Sequence, residues 1–204
     1  MAGAGERDGE EEEEEIVCLE ASFFINDKYT SLSLSFFHYL PPCLLKSITG
    51  ILCSRFCREV VLTDHNDEVQ KILKKNIELH SSKDHSHHAE LVAEKLEWGN
   101  SDQINQILRR RPGGFDLILG ADIYILGSVP LLFDTVKQLL QVRERDCCKF
   151  ILAYVSRAKI MDSLVVSEAI RHGMQINEIP GTRSVVGNLE GVIFEVTLLE
   201  KSPM

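Results

Sequence analysis

From residue 58 onward, short apolar runs alternate with segments whose apolar residues recur every three or four positions. "REVVLTD" closes on Asp64 and has the unbroken apolar text of a buried parallel strand. Asn66 follows as a predicted N-cap. Val69, Ile72, Leu73, Asn76 and Ile77 then mark one helical face, with Lys71, Lys74 and Lys75 outside it. "HSSKDHSHHAE" reads as a polar loop, and "AELVAEKLEWG" as a strand ending near Trp98-Gly99. "SDQINQILRRR" predicts a helix with Ser101 or Asp102 near its start. Pro112, Gly113 and Gly114 break the chain before "FDLILGAD", the clearest buried strand. "VPLLFDTVKQLLQVRE" is an amphipathic helix with Pro130 in its first turn. "KFILAYVS" is a strand, and "MDSLVVSEAIRHG" a helix stopped by Gly173. "MQINEIP" and "GVIFEVTLLE" close the chain as two strands joined by a turn. Upstream, "SLSLSFFHYL" has period-2 character until Pro41-Pro42 stops it, and a helix is predicted from about Leu44 to Cys57.

Strand and helix alternation implies an α/β sheet with helices on both faces, a three-layer Rossmann-like architecture. The final strand pair has no helix between its members, so those strands are expected to pair antiparallel.

Charge changes the picture little. Eight acids and one base in residues 1–15 account for −7 of the net −9, leaving −2 for residues 16–204. The first fifteen residues therefore read as a disordered acidic tail ahead of one domain over 16–204. A nearly neutral body argues against nucleic acid as a partner. No apolar run reaches the roughly 18 residues of a membrane span, and the acidic start is unlike a secretory signal. Six cysteines without such a signal read as reduced thiols, which implies a cytoplasmic or nuclear protein. Cys53 and Cys57, one helical turn apart, read as packing residues. His85, His87 and His88 beside Asp84 match no zinc spacing and read as a solvated loop, so no metal is expected. Arg109 to Arg111 suit a helix carboxyl end.

"GILCSRFCREVVLTDHNDEVQKILKKNIELH" resembles the region after the first motif of methyltransferase family 16, which contains many protein-lysine methyltransferases. "LEWG" and "FDLILGADIY" resemble its next two motifs in order, and "FFINDKYTSLSLSF" its N-terminal extension. The resemblance implies the seven-strand methyltransferase fold with S-adenosylmethionine as cofactor. It further implies a monomer that methylates a protein substrate, on a lysine. Asp64 would accept the ribose hydroxyls of the cofactor, as strand-end acids do in open α/β sheets. The plainer alternatives for Asp64 are a solvated residue or a helix cap. Trp98 would lie beside the adenine, with Gly99 permitting close approach, or else simply fill space in the core or at its rim. Gly50 and Ala121 would belong to the cofactor shell. Asp122 and Tyr124 would hold and orient the substrate amine, which must be neutral to attack. The family's aromatic usually stands one position later, where this chain has Ile125; Asp122 could also cap a turn.

One departure is large. Intact relatives carry a strand and a glycine-rich turn just before "ITGILCSRFC", where this chain reads "HYLPPCLLK". No glycine lies between Gly9 and Gly50, and Pro41 and Pro42 lack N–H donors. The family's tryptophan segment ahead of that strand is absent as well, because Trp98 is the sole tryptophan. A deletion would produce this text, and it predicts a sheet lacking its first central strand, between those carrying Asp64 and Asp116. "TSLSLSFFHYL" is the segment that could substitute. Two other functions stay open: a non-catalytic, truncated binding module, and a nicotinamide-dependent dehydrogenase, whose ribose Asp64 would also suit.

Overall fold

A computed structural model describes residues 31–36, 49–81, 90–121, 126–143, 148–186 and 188–199. Strands β1 (Ser31–Phe36), β2 (Glu59–Asp64), β3 (Glu90–Lys95), β4 (Leu117–Ala121), β5 (Lys149–Ser156), β6 (Met174–Glu178), β7 (Ser184–Val186) and β8 (Leu189–Leu198) form one sheet. Its order is β3-β2-β1-β4-β5-β8-β6, with β7 also paired to β8. β1 to β5 are parallel, and β8 runs antiparallel to β5, β6 and β7. The two C-terminal segments pair as expected, Met174 against Leu198 through Glu178 against Phe194.

The central strand is present, so the expectation of a sheet without it is corrected. Residues 31–36 pair with β2 from Ser31↔Glu59 to Ser35↔Thr63, and with β4 from Leu32↔Leu117 to Phe36↔Ala121. The physical reason is backbone satisfaction. An empty lane would leave the facing N–H and C=O groups of β2 and β4 unpaired inside the domain. The period-2 segment over residues 31–36 supplies one strand's length of partners.

Helices cover both faces. Helical residues 49–53 (α1) and α2 (Asp67–Ser81) lie on one side, where Cys53, Cys57 and Leu73 pack on Val60, Leu62, Leu117 and Leu119. α3 (Ser101–Arg110), α4 (Val129–Leu140) and α5 (Lys159–Arg171) lie on the other. There Ile104, Ile107, Phe133, Val136 and Val165 meet Val61, Ile118, Phe150 and Leu152. The alternation along β2, with Val61 to one side and Val60 and Leu62 to the other, explains its unbroken apolar text.

Local boundaries follow local chemistry. Asn66 caps α2, its side-chain oxygen accepting from the N–H of Glu68 at 2.8 Å and of Val69 at 3.3 Å. α3 starts at Ser101, as the pattern suggests, and its cap is Asn100, which accepts from the Gln103 N–H. β3 ends at Lys95 rather than near Gly99. Leu96 still donates to the Asp64 carbonyl at 3.0 Å, but the Glu97 N–H is taken by the Gln103 side chain at 2.7 Å. Gly173 has φ +76° after α5, the left-handed stop its sequence implies. Of the helix expected over Leu44 to Cys57, residues 44–48 lie outside the described residues, 49–53 are helical, and a turn follows.

Cys53 and Cys57 are buried, as packing residues should be. Burial pushes the Cys53 thiol up to about 12, and the neighbouring Cys57 adds to the shift. A raised value keeps the thiol protonated at neutral pH, and the thiolate is the reactive form. Peptide mapping after alkylation of native protein at pH 8 is expected to leave Cys53 unmodified, and denaturant should expose it. Prompt native labelling of Cys53 would mean that α1 opens readily.

Candidate functional site

The chain places β1, β2 and β3 successively to one side, then β4 and β5 to the other. The carboxyl edge of the sheet at β1/β4 is therefore a topological switch point, the usual ligand crevice of open α/β sheets. Parallel pairing brings Asp64, the Leu96–Gly99 segment and Ala121 to that one edge, from β2, β3 and β4.

Asp64 is 6% exposed, which disposes of the solvated alternative. Its Oδ1 accepts the Asn66 N–H at 2.8 Å, and His65 Nδ1 lies 3.6 Å away. Asp64 thus forms a tight turn into α2, while Asn66 does the capping. A carboxylate offers roughly four acceptor sites, so that turn bond and a pair of ribose hydroxyls are compatible on one side chain.

Trp98 is half-buried and packs against the main core, so it fills the rim and still presents part of its surface. Gly99 has φ +80°. A Cβ there would lie 2.8 Å from Leu131 Cδ2, so the close approach that glycine permits is to α4. Gly50 sits in α1, and a Cβ there would lie 2.6 Å from Leu62 Cδ2. Its observed role is to seat α1 on β2. Ala121 is the last residue of β4, paired to Phe36 and Ala153. Asp122 and Tyr124 lie outside the described residues, as does the histidine-rich loop. Among the described residues, no group of three or more His, Cys, Asp or Glu could hold a metal ion. None of the described helices is long and apolar enough to cross a membrane.

Three polar arrangements escaped the sequence reading. Gln70, buried on α2, donates through Nε2 to the carbonyls of Asp64 (3.1 Å) and Glu94 (2.8 Å). Its spacing from Leu73 and Ile77 put a polar residue on the inner helix face, which was the available signal. Thr135, buried on α4, accepts the Gly99 N–H at 2.8 Å and donates to the Leu131 carbonyl at 2.9 Å. Asp162 accepts from Tyr154 Oη at 2.7 Å and Ser156 Oγ at 2.8 Å, locking α5 onto the end of β5. The Arg109–Arg111 run is also more than a helix-end charge. Arg111 is buried and donates to Glu59 at 2.6 Å, and Arg110 pairs with Glu94.

The carboxyl edge holds a buried acid at the end of β2, a half-buried tryptophan just past β3, and backbone braced by Gln70 and Thr135, a set compatible with an adenosine. The antiparallel β8 between β5 and β6 departs from the nicotinamide-dehydrogenase strand order.

The sequence profile of a lysine methyltransferase family, methyltransferase family 16, matches residues 47–166. That span includes Gly50, Asp64, Trp98, Ala121, Asp122 and Tyr124, and it begins just after the glycine-free "HYLPPCLLK". No curated protein matches the chain. Among solved structures, a ribosomal protein L11 methylase from Lactobacillus delbrueckii subsp. bulgaricus is similar, with TM-score 0.51 and 16% identity over 84% of this chain and 71% of that one. So is the magnesium protoporphyrin IX methyltransferase of Synechocystis PCC 6803 with bound S-adenosylmethionine, at 0.51 and 10% over 83% and 70%. An rRNA methyltransferase from Streptomyces viridochromogenes gives 0.51 and 11% over 83% and 78%. Their substrates are a protein, a porphyrin and an RNA by name, so the shared fold leaves the substrate of this chain open.

Proposed function

The chain belongs to the lysine methyltransferase family whose profile spans more than half of it, and from that premise we propose a protein-lysine methyltransferase with an intact adenosine edge and a weakened grip on the methionyl end of its cofactor. The cofactor is S-adenosylmethionine, which supplies an electrophilic methyl group on a sulfonium. The observation that carries the reading is Asp64, a buried carboxylate ending β2 beside the central strand of a sheet of methyltransferase order.

Each residue then has a task. Asp64 accepts the ribose hydroxyls in charge-assisted hydrogen bonds. Trp98 offers an apolar surface to the adenine. Asp122 and Tyr124, just past β4 in the chain, hold the substrate lysine and orient its neutral amine toward the methyl group. The weak grip follows from the sequence between β1 and α1. Residues 37–48 contain no glycine and two prolines, a sequence poorly suited to a cradle of closely spaced N–H donors.

The test compares this chain with one in which a glycine-rich turn replaces residues 38–46. Losing about three backbone hydrogen bonds, each worth on the order of 1 kcal/mol, corresponds to roughly 100-fold in affinity. Calorimetry with S-adenosylmethionine should show that gap, and labelled methyl transfer to lysate proteins should appear only with the repaired chain. Equal binding and transfer by both would show that "HYLPPCLLK" does the work of the missing turn. Transfer to nucleic acid or to a small molecule alone would overturn the lysine substrate.

A further inference from the structure

Two buried side chains reach the proposed adenosine edge from opposite faces of the sheet, and neither touches the ligand crevice as a charged group. Gln70 comes from α2 on one face, and Thr135 from α4 on the other. We infer that Gln70 and Thr135 are positioning residues that hold Asp64 and the Trp98 segment in register for the adenosine half of the cofactor. This rests on the cofactor reading given above.

The geometry is specific. A side-chain amide has two N–H donors, and Gln70 uses them on two neighbouring strand ends. One goes to the carbonyl of Asp64 itself, the other to the carbonyl of Glu94, two residues before Leu96. The Asp64 carbonyl also accepts the Leu96 N–H, so both of its lone pairs are committed. The peptide unit carrying the carboxylate is thereby pinned to β3. On the other side, Thr135 fixes the N–H of Gly99, next to Trp98, in a left-handed conformation that few other residues adopt. The Thr135 hydroxyl is itself fixed by donating to Leu131. Gln103 closes the set by accepting the Glu97 N–H, so Leu96, Glu97 and Gly99 around Trp98 are each anchored through their N–H groups. A site braced in this way avoids ordering its loop on binding, and that ordering cost would otherwise reduce affinity.

A merely structural role predicts something different, and two variants at Thr135 separate the cases. Thr135→Val keeps the shape and apolar packing but leaves the Gly99 N–H without its acceptor. Thr135→Ser keeps the acceptor and removes a buried methyl. If packing is what matters, serine should do the greater harm; if positioning matters, valine should. Titration with S-adenosylhomocysteine and with adenosine, followed by calorimetry and by the emission of Trp98, reads both. The expected result is about a tenfold loss of affinity for both ligands in Thr135→Val and in Gln70→Met, by the same factor for each ligand. Trp98 emission should shift to the red in the ligand-free variants, and Thr135→Ser should bind within about twofold of the unmodified chain even if its melting temperature falls. Unchanged affinity in Thr135→Val, or equal losses in valine and serine, would overturn the positioning role while leaving the cofactor reading intact. Failure of the unmodified chain to bind either ligand at millimolar concentration would overturn both.

Discussion

Asp64→Ala should weaken binding of S-adenosylhomocysteine roughly 10- to 100-fold, the span set by charge-assisted hydrogen bonds of about 1.5–3 kcal/mol. The carboxylate is buried at a strand end, where water competes poorly for its acceptors. Its Oδ1 also holds the Asn66 N–H, so alanine removes a turn bond along with the proposed ribose contact. Asp64→Asn separates the two roles. Asparagine keeps an oxygen for Asn66 but loses the charge and exchanges one acceptor for a donor. Its melting temperature should stay close to that of the unmodified chain while its affinity falls between those of the unmodified chain and alanine. A dissociation constant unchanged in both variants, measured by calorimetry on protein shown to be folded, would assign Asp64 to the turn alone.

The largest stability effect is expected away from the crevice. Arg111 is 8% exposed, donates to Glu59 at 2.6 Å and lies 3.5 Å from Glu94. Arg111→Ala leaves Glu59 and Glu94 without the buried guanidinium they share. Breaking a buried pair costs about 3–5 kcal/mol. The cost here should be lower, about 2–3 kcal/mol, because Arg110 still neutralises Glu94 and Glu59 remains partly exposed. For a domain of this size that corresponds to a fall of very roughly 5–10 °C in melting temperature. High salt should recover little of it, since buried pairs are weakly screened. Arg111→Lys should not rescue, because one ammonium cannot reproduce the planar fork. A loss below about 1 °C would mean that the two glutamates find water or protons easily.

How much of this was legible depends on what kind of interaction writes itself into adjacent residues. Periodicity is local. It gave α2, α4, α5 and the runs that become β2, β4 and β5, because a buried strand must be apolar on both faces and a helix must show one apolar stripe. Punctuation is local too, so Asn66, Pro130 and Gly173 could be read as a cap, a start and a stop. The ordered motifs around Asp64, Trp98 and Ala121 pointed to one sheet edge, and the parallel ladder brings them there.

The sequence by itself therefore determined the α/β class, the antiparallel ending and the family. Tertiary structure alone decided what fills the central lane. The period-2 text of residues 31–36 has no pattern unique to a central strand, and only the unpaired edges of β2 and β4 require it there. Tertiary structure also decided what the polar residues on apolar faces do. Gln70 and Thr135 find partners 24 and 36 residues away, so no local window contains the bond. Glycines behaved the same way. Gly50 and Gly99 were readable as permissive positions, but whether a ligand or Leu62 and Leu131 occupies the vacated Cβ space depends on which helix lies opposite, and that is a property of packing alone.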